Sequence, residues 1–221
     1  MALKIEEVFE SVQGEGTLSG TGAMFIRLRG CNAVKEHLEC AEWCDTQYSW
    51  KAGSSPDKPV MVWTSDVVEK EVLTTKMPLI VFTGGEPLLQ SDDLKYWLAK
   101  TILFDDDLKT KVVAFETNGT IKRSMPHGGN IWWTISPKPP HYKIAPGPIS
   151  EIKVVVPNVE TSLWYEQHAY KFDEWLRMCP RVWVQPQDND LTTAAWVVEN
   201  LIPTHPLVRL NLQLHKILEV R

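Results

Sequence analysis

Three of the four cysteines lie close together in this chain, and their number suggests a metal site with an open position. Cys31 and Cys40 are separated by eight residues and Cys40 and Cys44 by three, whereas Cys179 is far away. Structural zinc usually has four protein ligands, and a cubic iron–sulfur cluster usually has one cysteine for each iron. Three thiolates therefore predict a metal group that leaves one position free for a substrate, a water molecule or a cofactor.

Polar or glycine-rich residues follow several apolar runs of the sequence. The cysteine loop follows the run 24–28, and four later apolar runs are followed directly by the segments 83–87, 116–120, 136–138 and 185–188. The carboxyl ends of strands in a parallel α/β barrel meet at one mouth, where such proteins build their active sites. The pattern predicts one composite site and not several separate ones.

Strand-like runs alternate with helix-like segments along the chain. The predicted helices run from Ser91, as N-cap, to Thr101, from about Ser65 onward, over Lys171–Met178, and from Thr193 to Leu201 ahead of Pro203. This alternation implies a parallel sheet with right-handed crossovers, and about six units predict an α/β fold with a small open barrel. The predicted strands are rich in β-branched or aromatic residues, as buried parallel strands are: Met24–Leu28, Leu79–Phe82, Lys111–Phe115, Ile131–Ile135, Ile152–Val156, Arg181–Val184 and Val208–Leu212.

Length and composition are those of one soluble globular domain. The chain has 221 residues, of which 43% are hydrophobic and 23% charged, and its formal net charge is −5. This acidic balance argues against a protein that binds a nucleic-acid backbone directly. No apolar run approaches the ~20 residues of a membrane span, and the N-terminus lacks a signal-peptide pattern. We expect a single domain over residues 1–221, a surface loop at 52–59, and a cytoplasmic, reducing location where cysteines are metal ligands or free thiols.

Each motif after a strand also has a purely structural interpretation. The pair at 84–85 could form a tight strand-to-helix turn, and the pair at 118–119 a hairpin turn. Asp45 and Thr46 could cap a helix. Arg27 lies within a predicted strand and could form an ion pair in the barrel wall. Taken singly, none of these motifs decides between structure and function.

The cysteines have alternatives of the same kind. His37 lies between the first two of them, so a zinc site with three cysteines and one histidine is conceivable. Cys179 could close the site as a fourth ligand, or it could be an inert buried thiol, as unpaired cysteines often are. Zinc, however, would leave the Gly-Gly-Glu-Pro segment at 84–87 and the Ser-Pro-Lys segment at 136–138 unexplained.

Taken together, the motifs resemble the radical S-adenosylmethionine (SAM) superfamily. The cysteine trio, the aromatic Trp43 before its last member, and Gly-Gly-Glu-Pro at 84–87 carry this resemblance. Within that superfamily the chain is similar to the 7-carboxy-7-deazaguanine synthase family. The narrower similarity is carried by Phe9–Gly16, Phe25–Asn32, Trp43–Thr46, Thr83–Pro87, Glu116–Thr120, Ser136–Lys138, Glu151–Lys153 and Leu212–Lys216.

The resemblance implies a lyase that contracts the ring of 6-carboxy-5,6,7,8-tetrahydropterin, releasing ammonia and 7-carboxy-7-deazaguanine for queuosine-type 7-deazapurine biosynthesis. It implies a [4Fe–4S] cluster, SAM and Mg²⁺ as cofactors, and an abbreviated radical SAM partial (β/α)6-type barrel with parallel strands. It also implies a homodimer, a pterin substrate, and a flavodoxin-like or other one-electron reductant as partner.

The same resemblance assigns roles to individual residues. Cys31, Cys40 and Cys44 would ligate the cluster, and Thr46 would bind Mg²⁺. No side chain is implied as catalytic, because SAM and the cluster carry the radical chemistry. The implied SAM-binding positions are Trp43, Asp45, Gly84, Gly85, Glu86, Asn118, Ser136, Pro137, Lys138 and Gln185. The implied substrate-binding positions are Val12, Gln13, Gly14, Glu15, Arg27, Thr83 and His215.

The cysteine spacing departs from the superfamily's usual pattern of three and then two intervening residues. We interpret residues 32–39 as an insertion in the cluster loop and Glu42 as one extra residue before the third cysteine. Two other functions remain open at this point. Another radical SAM enzyme, such as a glycyl-radical activase, would not need the segment Gln13–Glu15, Arg27 or Thr46. A non-catalytic metal-binding module would need neither SAM nor a pocket.

Overall fold

In a computed structural model, the protein forms a nine-stranded mixed sheet flanked by helices. The structure describes residues 2–51, 60–104, 110–124, 129–157 and 160–220, so the surface loop predicted at 52–59 lies outside the described residues. The strands are β1 Ala2–Val12, β2 Gly22–Leu28, β3 Met61–Thr64, β4 Leu79–Gly84, β5 Val112–Thr117, β6 Ile131–Ile135, β7 Glu151–Val156, β8 Val182–Pro186 and β9 Val208–Leu210. Their order across the sheet is β3-β1-β2-β4-β5-β6-β7-β8-β9.

The parallel part of the sheet confirms the seven strands predicted from the sequence. Strands β2, β4, β5, β6, β7, β8 and β9 are paired in parallel, each with the next. The order ends with β3 at one edge and β9 at the other, so the sheet formed by the described residues is open. This is the partial barrel expected for the fold, in which the carboxyl ends of the strands share one mouth.

Two strands, β1 and β3, were missed by sequence reasoning. Strand β1 pairs antiparallel with both β2 and β3. Its acidic residues Glu6, Glu7 and Glu10 interrupt the apolar pattern by which a buried strand is recognised. Because Val12 pairs with Gly22, β1 ends beside the beginning of β2, and the loop at 13–21 starts there.

The helices are α1 Cys40–Trp43, α2 Ser65–Thr74, α3 Ser91–Phe104, α4 Thr161–Met178, α5 Leu191–Trp196, α6 Ile202–Thr204 and α7 Leu214–Ile217. None of the helices in the described ranges is both long enough and apolar enough to cross a membrane.

Three helix boundaries differ from the predictions. Ser91 is not an N-cap, since its backbone is already helical and a 3-10 turn at Pro87–Gln90 leads into α3. Helix α4 begins at Thr161 and not at Lys171. Helix α5 continues through a π turn into α6, which contains Pro203 in its first turn. Because Pro203 has no N–H, the helix loses one backbone hydrogen bond there, and the π turn at Val197–Leu201 directly precedes it.

The two faces of the sheet carry different cores. On the outer face, the rings of Phe82, Phe115 and Trp133 stack in sequence with centroids 5.3 and 4.7 Å apart, and Trp97 of α3 packs on Phe82. Alternate strand residues, among them Phe25, form a smaller cluster with Phe9. Successive side chains of a strand point to opposite faces of the sheet. The residues that point outward pack against helices, and those that point inward are available for a site.

Candidate active site

The inner face of the sheet borders a cavity of about 270 Å³. Every residue assigned to the site by resemblance lies in its wall except Gly14, Glu86 and Pro137. The wall includes Cys31, Cys40, Cys44 and Thr46, called here the cysteine side, and Gln13, Glu15, Arg27 and Thr83, called here the polar side. The predicted composite site is therefore a single cavity, bounded by the loops after seven of the described strands.

All three clustered cysteines face this cavity. Cys31 follows β2, Cys40 is the first residue of the short helix α1, and Cys44 is the residue that ends it. Their thiols are free, and so is that of Cys179. The Ala33 N–H donates to Cys31 Sγ at 3.4 Å, and Cys44 Sγ lies 3.4 Å from the Thr46 hydroxyl. Helix α1 thus carries the second and third thiols to the loop that bears the first.

Burial favours the protonated form of two of these thiols, those of Cys31 and Cys40. It raises the pKa of Cys31 to about 12 and also raises the pKa of Cys40, which the nearby Lys138 ammonium partly offsets. Metal ligation requires thiolates, so metal binding here must displace protons.

The donor set of the cysteine loop fits an iron–sulfur cluster. In the described residues, no three histidine, cysteine or carboxylate side chains form a group that could hold a metal ion. In a cubic cluster each cysteine binds a different iron. The three cysteine sulfurs therefore need not converge on one point.

The pair Gly84–Gly85 brings the loop after β4 against the cysteine loop. A Cβ at Gly84 would lie 2.2 Å from the Leu28 carbonyl oxygen, and one at Gly85 would lie 2.3 Å from the Gly30 carbonyl oxygen. Gly84 also has φ of +147°, which side-chain-bearing residues rarely adopt. Both glycines are therefore required by loop packing, and both border the cavity.

Glu86 lies behind the wall and braces it. Its carboxylate is fully buried and accepts hydrogen bonds from the Thr117 hydroxyl at 2.8 Å, the Asn118 N–H at 2.8 Å and the Leu88 N–H at 3.0 Å. Asn118 in turn donates to Asn32 in the cysteine loop at 2.8 Å. The carboxylate ties together the loops after β4 and β5, and through Asn118 it supports the cysteine loop.

Arg27 lies in the cavity wall and also forms the ion pair considered from the sequence. Its Nε donates to Glu7 at 2.9 Å, and the Tyr48 hydroxyl donates to the same carboxylate oxygen at 2.7 Å. The guanidinium carbon lies about 6 Å from the ring centroids of Phe9 and Tyr48. The hydrogen bond to Glu7 uses one of the five N–H donors of the Arg27 guanidinium. It therefore fixes the arginine side chain and leaves other N–H donors for the carboxylate of a ligand.

The C-terminal segment borders the mouth of the cavity. Lys216 of α7 forms salt bridges with Asp45 at 3.0 Å and Asp188 at 2.8 Å. His215 lies against Gly14, where a Cβ would be 2.0 Å from its Nδ1. Burial lowers the pKa of His215, and the Lys216 charge adds to that effect, so the imidazole is neutral near pH 7. Gly14 thus has a packing role beneath His215.

Sequence reasoning gave no role to several wall residues, of which Lys153, Glu116, Thr117, Gln213 and Lys216 are polar or charged. Lys153 stands in the apolar strand β7, and its side chain is 9% exposed. The sequence did contain a signal for Lys153, because a lysine is unusual within a run that otherwise has the apolar pattern of a buried strand. Glu116 accepts a hydrogen bond from Gln13 at 3.0 Å, which links the end of β5 to the loop after β1.

Comparison with known proteins places the chain in a family. No family model matches it. It is 33% identical to a 7-carboxy-7-deazaguanine synthase of Bacteroides thetaiotaomicron over 100% of both chains. It is 34% identical to a 7-carboxy-7-deazaguanine synthase of Synechocystis, over 98% of this chain and 93% of the relative. The fold matches the crystal structure of QueE from Escherichia coli with a TM-score of 0.70 and 25% identity, over 97% of this chain and 95% of the other. With its fold, its cavity and its full-length relatives in agreement, this chain belongs to the 7-carboxy-7-deazaguanine synthase family.

Proposed function

We propose that this protein is a 7-carboxy-7-deazaguanine synthase. It converts 6-carboxy-5,6,7,8-tetrahydropterin to 7-carboxy-7-deazaguanine with loss of ammonia, as a radical SAM lyase of 7-deazapurine biosynthesis. One observation carries the proposal: the cysteine loop and the polar loop after β1 border the same cavity. A radical made at the cysteine side would therefore form next to a ligand held at the polar side.

The cysteine side is suited to the cofactors. Cys31, Cys40 and Cys44 would hold a [4Fe–4S] cluster and leave its fourth iron open for SAM. When bound, the cluster and SAM supply the one-electron cleavage that generates the initiating radical. The proposed SAM-binding positions in the wall are Trp43, Asp45, Gly84, Gly85, Asn118, Ser136, Lys138 and Gln185. Pro137 and Glu86 would act from behind the wall.

The polar side is suited to an anionic pterin. Arg27, held by Glu7, offers a permanently charged donor to the substrate carboxylate. Gln13, Glu15 and Thr83 offer donors and acceptors for the ring edges, and the neutral imidazole of His215 closes this side. The chain thereby binds and orients the substrate and excludes water around it.

Thr46 is proposed as the Mg²⁺ ligand. It lies in the cavity wall two residues after Cys44. Mg²⁺ keeps several waters and uses few protein oxygens, so a single hydroxyl together with the substrate carboxylate would suffice.

Six further features belong to the proposal. The chain acts as a single radical SAM domain over residues 1–221, with an insertion at 32–39, in the cytoplasm. It takes electrons from a flavodoxin-like or other one-electron reductant, does not bind nucleic acid directly, and forms a homodimer. Static light scattering of the purified protein tests the dimer, and reduction by flavodoxin tests the electron donor.

Anaerobic turnover tests the function. The protein is reconstituted with iron and sulfide and incubated with SAM, dithionite, Mg²⁺ and the carboxytetrahydropterin, and the products are separated by mass spectrometry. Formation of 7-carboxy-7-deazaguanine supports the proposal. Production of 5′-deoxyadenosine without the deazaguanine would indicate a different radical SAM reaction. If a spectroscopically verified cluster cleaves no SAM, both the synthase and any other radical SAM activity would be excluded.

A further inference from the structure

A buried lysine on the polar side of the cavity has no part in the proposed function so far. Lys153 of β7 pairs with Glu15, and the two side chains are only 9% and 13% exposed. Burial lowers the pKa of Lys153 to about 8. An ammonium in such surroundings is costly unless a partner compensates it, and here the partner is itself a residue of the cavity wall.

Glu15 receives donors from three separate parts of the chain. Its Oε1 accepts hydrogen bonds from Gln185 Nε2 at 3.1 Å and Gln213 Nε2 at 2.8 Å, and its Oε2 pairs with Lys153 Nζ. A carboxylate has about four acceptor positions, so these contacts leave about one for a ligand. The side chain is held on several sides but still reaches the cavity.

The two neutral donors are fixed in turn. Asn211 Nδ2 donates to Gln185 Oε1 at 2.7 Å, and Asn189 exchanges two hydrogen bonds with the backbone of Gln213, at 2.6 and 3.1 Å. This network orients Glu15 without supplying charge. The ammonium of Lys153 is the one charged partner among the donors to this nearly buried carboxylate.

We propose that Lys153 is a positioning residue for pterin binding. Its ammonium holds the Glu15 carboxylate ionised and fixed, so that the remaining acceptor position receives an N–H group from the amino-pyrimidine edge of the ligand. This inference rests on the proposed function, since it takes a pterin as the ligand. A protonated or displaced Glu15 would lose that hydrogen bond, while Arg27 would still hold the ligand carboxylate.

Binding of the non-reactive analogue 6-carboxypterin to the protein reconstituted with its cluster, with SAM and Mg²⁺ present and no reductant added, tests this role without turnover. Lys153→Met should weaken binding roughly ten- to a hundredfold, the range for a hydrogen bond to a charged group. Lys153→Arg, which keeps the charge, should restore part of the affinity. The matched control is Lys111→Met, because Lys111 also donates to protein oxygens, the Thr75 and Met77 carbonyls, but is not part of the cavity wall. It should leave affinity unchanged.

A double-mutant cycle keeps the test decisive if Lys153→Met alone folds poorly. In the Glu15→Gln background no carboxylate is left unpaired, and Lys153→Met should then cost less than threefold in affinity. Wild-type affinity in Lys153→Met, or losses that add independently of Glu15, would overturn the inference. Failure of the wild-type protein to bind the analogue or make the deazaguanine would overturn the proposed function instead, so the two failures are distinguishable.

Discussion

Gly85 and Cys31 are in such close contact that a Cβ at position 85 would lie 2.7 Å from the Cβ of Cys31. It would lie closer still to the Gly30 carbonyl oxygen, at 2.3 Å. The Glu86 N–H donates to that same carbonyl at 2.8 Å. The loop after β4 and the loop that bears Cys31 are therefore one packed unit.

The first prediction follows from this contact. Gly85→Ala should push the cysteine loop away and lower the free energy of unfolding by about 1–3 kcal/mol, as overpacking does. It should also reduce the iron retained after reconstitution. Gly22→Ala is the matched control, since a Cβ there would meet only the flexible end of Met77, at 3.1 Å. Iron content equal to wild type in Gly85→Ala would contradict the role given to this contact.

The second prediction concerns the four cysteines. Cys31→Ala, Cys40→Ala and Cys44→Ala should each abolish cluster assembly, measured as iron and sulfide per chain and by electron paramagnetic resonance. Cys179→Ala should retain the cluster, because this thiol is buried in a separate apolar group with Trp175 and donates to the Ser150 carbonyl. Loss of iron in Cys179→Ala would mean that the cluster has a fourth protein ligand.

The third prediction concerns Glu86 as a brace. Glu86→Gln keeps the shape but replaces an acceptor oxygen by an NH₂ group that must face an N–H or hydroxyl donor. This mismatch should cost about 1–3 kcal/mol of stability, measured by urea unfolding. Glu116→Gln is the control. Because Glu116 is less buried than Glu86, this substitution should cost less stability. A Glu86→Gln protein as stable as wild type would show that the three hydrogen bonds do not hold the loops.

The fourth prediction is a pH dependence of pterin binding. Burial lowers the pKa of Lys153 from 10.5 to about 8, so its charge is lost as pH rises through about 8 and is present below it. The charged or titratable groups around it are Glu15, His215 and Glu151. Of these, His215 is already neutral above pH 7, because burial lowers its pKa.

Affinity for 6-carboxypterin should therefore fall between pH 7 and 9.5 in the wild-type protein. It should fall less in Lys153→Arg, because arginine stays charged. Titration of the ligand itself is common to both proteins and cancels in their ratio. Parallel pH profiles for the two proteins would contradict the assignment.

The sequence was sufficient to predict the parallel strands and the residues at their carboxyl ends. Those residues lie in the wall of one cavity because each follows a parallel strand, and these strands are recognisable from their apolar runs. Strand β1 could not be predicted from the same pattern, because Glu7 pairs with Arg27 of β2 and Glu6 pairs with Arg29 just after β2. Only the fold supplies this compensation. The role of Lys153 was equally hidden, since its partner Glu15 is 138 residues away in the chain.

The central claim is that the cavity carries out a ring contraction that expels ammonia. The most direct test measures ammonia and 7-carboxy-7-deazaguanine together in the anaerobic reaction of the reconstituted protein with SAM, reductant, Mg²⁺ and the carboxytetrahydropterin. We predict one ammonia for each deazaguanine formed, and neither product when Cys31→Ala replaces the wild-type protein. Accumulation of 5′-deoxyadenosine while the pterin is recovered unchanged would contradict the account.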